Sequence, residues 1–90
     1  MTDFANTTVG DQRVSLLDAL QLVADERQRQ DHKWGTVRGH LSHDRWLSIL
    51  VEEAGESAEA MNDHDQGHLR EEVVQVAAVC IAWLQHGDFS

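Results

Sequence analysis

Apolar residues recur at helical spacing in three stretches of the chain, with polar segments between them. In the first stretch they fall at Val14, Leu17, Leu20 and Val23, flanked by Leu16 and Leu22. This predicts a helix from about Gln12 to about Asp31, whose second half, Glu26 to Gln30, is wholly polar. Ser15 followed by Asp18 offers a capping pair within it. The break from Trp34 to Ser42 carries Gly35 and Gly39 and has room for a short extra turn in 36–44. Ser42 or Asp44 can cap the second helix, expected from about Arg45 to Asn62, with Trp46, Ile49, Leu50, Ser57 and Met61 in one stripe.

Asp63 to Gly67 is rich in turn formers, and a third helix is expected from about His68 to His86, with Gly87 suited to its C-terminal cap. The 12-residue run from Val73 to Leu84 is apolar apart from Gln75. It is too long for a typical strand and too short for a membrane-spanning helix. A helix apolar on most of its circumference must be buried on all sides, and a chain of 90 residues offers few partners for it. The expected architecture is therefore all-α, with three main helices per chain and a four-helix-bundle core completed by oligomerisation into a homodimer or homotetramer. Residues 1–10 are polar and expected to be flexible, leaving 11–90 as one domain.

Charge narrows the choice of partner. Asp and Glu number 16 against 7 Lys and Arg, a formal net charge of -9. Such a surface repels nucleic-acid polymers and anionic membranes, and it holds a phosphorylated ligand only with help from a metal or a local basic patch. Cys80 is the single cysteine and lies in the apolar run, which fits an inert thiol and excludes an intrachain disulfide. The first residues lack the basic start of a signal peptide, so a cytoplasmic location is expected.

The acids are unevenly placed. Glu52, Glu53, Glu56 and Glu59 crowd the second helix, and no Lys or Arg lies between Arg45 and Arg70 to offset them. Glu53 and Glu56, spaced i, i+3, share a face, where like charges repel. On the third helix Glu72 is followed one turn later by Gln75, the only polar residue of the apolar run. If the two helices pack antiparallel, Glu53, Glu56, Glu72 and Gln75 converge. Three carboxylates and an amide oxygen are the donors a hard cation such as Mg²⁺ prefers.

Glu53-Ala54-Gly55-Glu56, then fifteen residues, then Glu72-Val73-Val74-Gln75 resembles the split ExxE…ExxD metal motif of the MazG-like all-α nucleoside triphosphate pyrophosphohydrolases. The resemblance extends through Glu52-Glu53-Ala54-Gly55-Glu56, Glu26-Arg27-Gln28-Arg29-Gln30 and Lys33-Trp34-Gly35, and covers roughly residues 13–85. It departs at Gln75, where the family usually has Asp; a Gln still offers a carbonyl oxygen but no charge. The resemblance implies Mg²⁺-dependent hydrolysis of a (deoxy)nucleoside triphosphate to the monophosphate and pyrophosphate, with Mn²⁺ as a substitute ion. The role implied for such a reaction is nucleotide-pool sanitising or adjustment. It implies metal ligation by Glu53, Glu56, Glu72 and Gln75, and proton removal from water by Glu53 or Glu56.

Other residues carry two readings each. Arg27, Arg29 and Lys33 gather three of the seven basic residues within seven positions. They can meet phosphate oxygens, or pair on the surface with Asp25, Glu26 and Asp31. Trp34 can stack on a base or pack at its loop, whereas Trp46 and Trp83 fall on apolar stripes and read as core or interface. Gln75 can ligate a metal or bond across a subunit interface. Glu52, Glu59 and Glu71 read as solvated or supporting, and the six histidines as surface residues. The alternative function is a catalytically weak or inactive helical oligomer that senses nucleotides or binds a partner, having lost turnover through Gln75.

Overall fold

The computed structural model describes residues 13–35 and 41–90, and every regular element among them is helical. Helix α1 spans Leu16–Trp34, α2 His43–Asn62 and α3 Gln66–His86. The expected flexible segment 1–10 and positions 36–40 of the expected extra turn lie outside the described residues, and His43 and Asp44 belong to α2. Among the described residues no helix is long and apolar enough to cross a membrane.

Side-chain caps set the helix starts. The Ser15 hydroxyl accepts from the Asp18 backbone N–H at 3.1 Å, so α1 opens at Leu16 rather than near Gln12. Ser42, not Asp44, caps α2 by accepting from the Arg45 N–H at 3.2 Å. Asp65 caps α3 through the His68 N–H at 3.0 Å and moves its start to Gln66. Helix α1 also runs three residues past Asp31, stopping where Gly35 takes φ 63, a left-handed value that glycine adopts without strain. Gly87 does cap α3, but with φ -73. Its requirement is space: a Cβ there would lie 2.7 Å from the Trp83 carbonyl oxygen and 2.8 Å from the Phe89 ring.

Helix α3 is the central element, packed against both α2 and α1. The three-residue connection Asp63 to Asp65 makes α2 and α3 an antiparallel hairpin. Its core is small: Trp46, Val79 and Ala82 are fully buried, with Leu41, Ile49, Leu50 and Trp83 packed around them. Beyond it much apolar surface faces outward. Leu16 and Leu17 are each more than 70% exposed, and Leu20, Val51, Met61, Val73 and Leu84 are exposed too. An open groove of about 950 Å³ runs between α1 and α3, lined by Leu22, Val23, Leu69, Val73 and Ala77 among others. The apolar run of α3 is thus buried only on the sides its own chain can reach, and Cys80 within it is half-buried.

The C-terminal residues are tied back to the start of α2. Trp83 donates Nε1–H to His43 Nδ1 at 2.8 Å. The opposite nitrogen of His43 therefore carries the proton, and Nε2 donates to the Asp88 carbonyl at 2.6 Å. The Phe89 ring packs 4.9 Å from the same imidazole, centroid to centroid. His43 is exposed, as expected of all six histidines, yet it holds the chain end in place.

Candidate metal centre

Two helices supply the acidic cluster. The helical period puts Glu53 and Glu56 on one face of α2, and the hairpin brings Glu72 of α3 opposite them. One carboxylate oxygen from each lies within 4.8 Å of the other two. Two like charges at that distance repel by on the order of 3 kcal/mol at an effective dielectric constant of about 20. Glu72 is buried at 6% exposure, Glu53 is half-buried and Glu56 is exposed. Of the two Glu72 oxygens, Oε1 meets His68 Nε2 at 3.0 Å, whereas Oε2 is buried and has no hydrogen-bond partner.

A buried carboxylate oxygen without a donor, beside two more carboxylates, is unfavourable unless a cation completes it. The donor set therefore fits a hard divalent ion: all-oxygen, anionic, and open to solvent on the Glu56 side. Gln75 is half-buried one turn after Glu72 on α3. Glu52, Glu59 and Glu71 are exposed.

Helix α1 carries the basic residues Arg27, Arg29 and Lys33. Arg29 is held by Glu26 through two hydrogen bonds, Nε to Oε1 at 2.8 Å and Nη2 to Oε2 at 2.7 Å. That pairing, through its hydrogen bonds first and the Glu26 charge second, raises the Arg29 pKa; burial opposes it, and the Glu53 charge adds a lesser upward push. Glu53 thus lies within electrostatic reach of Arg29. Lys33 places its ammonium 5.0 Å from the centre of the Trp34 ring, and Trp34 is 42% exposed.

Arg27 is placed differently from its neighbours. It is 8% exposed and its guanidinium donates to Gln85 at 2.9 Å, Asp31 at 2.8 Å and the buried Gln30 at 3.4 Å. The bond to Gln85 ties α1 to α3. Sequence reasoning missed the Gln85 bond, because Gln85 lies 58 residues away and no local spacing announces it. The surface pairing of this basic cluster with Glu26 and Asp31 is found as one of the two expected readings, whereas His68 as the partner of Glu72 was missed. The spacing i, i+4 could have announced it.

The Glu26 carboxyl is held below its ordinary value of 4.5, chiefly by the Arg29 hydrogen bond and against burial. A group whose pKa is depressed on folding adds stability that is present above the unfolded value and lost as pH falls through the folded one. Resistance to urea is thus expected to decline as pH drops below about 4.5, and Glu26→Gln to flatten that decline. Urea midpoints on either side of that pH measure it; identical slopes in variant and parent would leave the ion pair without a stabilising role.

A family model described as the MazG nucleotide pyrophosphohydrolase domain matches residues 41–89. The match spans all of α2 and α3, hence all three clustered carboxylates, and ends short of α1. No curated protein and no solved structure matches the chain.

Proposed function

The chain belongs to the MazG nucleotide pyrophosphohydrolase domain family, and from that premise we propose that it hydrolyses a nucleoside or deoxynucleoside triphosphate to the monophosphate and pyrophosphate, with Mg²⁺ as cofactor and Mn²⁺ as a substitute. The observation that carries this reading is the convergence of Glu53, Glu56 and Glu72, with a buried Glu72 oxygen that lacks a donor. These three would hold the ion, and the Gln75 carbonyl would add a fourth oxygen. When bound, the ion supplies charge neutralisation for the polyphosphate and acidifies water at the reacting phosphorus.

The protein's own groups do the rest. Glu53 or Glu56 takes the proton of the attacking water. A new P–O bond forms, the bridging bond between the α- and β-phosphates breaks, and pyrophosphate departs with the bonding pair. Arg29, already oriented by Glu26, and Lys33 meet phosphate oxygens. Trp34 offers an exposed ring face to the base. Arg27, spent on Gln85, Gln30 and Asp31, supports this binding by keeping α1 on α3. Exposed Leu16, Leu17, Leu20 and Leu84 favour assembly into a homodimer or homotetramer, which would complete the four-helix core. The setting proposed is the cytoplasmic nucleotide pool.

The test is incubation of the protein with each common ribo- and deoxyribonucleoside triphosphate, first with Mg²⁺ and then with Mn²⁺, followed by product separation. Monophosphate and pyrophosphate in equal amounts are expected, and the ranking of rates names the substrate. Diphosphate and orthophosphate would overturn the bond assignment. Metal-dependent nucleotide binding with no product would turn the reading to the sensing module.

A further inference from the structure

His68 begins the side of α3 that carries Glu72, one helical turn ahead of it. Its backbone is fixed, because its N–H is the group that the Asp65 cap accepts at 3.0 Å. Its ring is half-exposed on one side and meets Glu72 Oε1 through Nε2 at 3.0 Å on the other. A carboxylate only accepts, so Nε2 carries the proton in this bond. Glu72 has three side-chain torsions and sits among carboxylates that repel it, so nothing in its own chemistry selects one orientation.

We propose that His68 is a positioning residue for the acidic centre: by holding Glu72 Oε1, it leaves Oε2 as the oxygen that Glu72 presents to the cation beside Glu53 and Glu56. Three observations converge on this. Oε1 is already used, Oε2 is buried without a partner, and the Glu72 carboxylate lies within 4.8 Å of the other two. Holding one oxygen by an external N–H lowers the entropy lost when the other ligates, and it draws off part of the charge that repels Glu53 and Glu56. The inference rests on the proposed metal reading and adds a residue to it.

The test uses the full chain and Mn²⁺ alone, with bound ion measured by the loss of the free Mn²⁺ resonance signal. His68→Ala removes the donor; His68→Gln keeps an N–H at comparable reach. His68→Ala is expected to weaken Mn²⁺ binding by roughly 10- to 100-fold, the range seen when a ligand loses its hydrogen-bond partner. His68→Gln is expected to recover most of that loss. The melting temperature without metal should stay near the parent's in both variants, while the rise caused by Mn²⁺ shrinks only in His68→Ala. Parent-like Mn²⁺ affinity in His68→Ala overturns the proposal, as does a His68→Gln protein as weak as the alanine variant. Failure of the parent itself to bind Mn²⁺ overturns the metal reading and this proposal with it, so the two failures are distinguishable.

Discussion

Glu72→Gln is expected to lower nucleotide hydrolysis by more than the roughly 100-fold that loss of an outer partner costs a metal site. The fold should survive intact. Glutamine keeps the volume of the side chain and an oxygen acceptor, and removes only the charge. Glu72 sits at 6% exposure with carboxylates of Glu53 and Glu56 within 4.8 Å. In the absence of metal, removing one of three clustered charges relieves repulsion, so the metal-free protein should melt at the same temperature or higher. The rise in melting temperature on adding Mg²⁺ or Mn²⁺ should disappear, because ligand-linked stability scales with affinity. Glu53→Gln and Glu56→Gln share this signature of lost turnover and unimpaired helicity. Parent-like rates in the three variants would sink the site assignment. A loss of helical content alongside lost activity would make the cluster a structural feature.

Why this cluster could be read from the sequence, when the Arg27–Gln85 bond could not, follows from the range of the contacts. Glu53 and Glu56 are related by the helical period, and Glu72 follows after one tight turn, so only one packing assumption brings them together. Each helix cap is likewise a contact three residues long, from Ser15, Ser42 or Asp65 to the backbone N–H it accepts. Arg27 to Gln85 and His43 to the Asp88 carbonyl span 58 and 45 residues, and hydrophobic periodicity says nothing about which polar pairs meet across such distances. The apolar row of α1 marked a helix, as found, but not what packs on it. Leu17 and Leu20 have the spacing of an apolar face but are exposed in this chain, because periodicity marks a face and says nothing of what it packs against. Gly87 shows a third case: composition identified a helix end, while the reason for glycine was the nearness of Trp83 and Phe89.

The small core makes the second large effect a matter of stability. Trp46→Ala is expected to destabilise the fold by roughly 3–5 kcal/mol, the range for deleting a buried aromatic ring. Trp46 is fully buried, and it is the largest side chain in a core whose other fully buried members are Val79 and Ala82. Neither of these can expand to fill the space, and Leu41, Ile49, Leu50 and Trp83 pack only partly buried around it. A domain of this size typically has about 5–15 kcal/mol in total, so the variant should sit near its folding threshold. Trp46→Phe retains most of the apolar contact and should cost much less. Urea unfolding measures both, at matched protein concentration, since assembly would make stability depend on it. Trp46 lies about two turns before Glu53 on α2, at the end of the hairpin away from the carboxylates. Turnover per folded molecule should therefore stay close to the parent's at temperatures where the variant is folded. A loss of turnover in fully folded Trp46→Phe would show that the core sets the geometry of the carboxylates and does more than hold the two helices together.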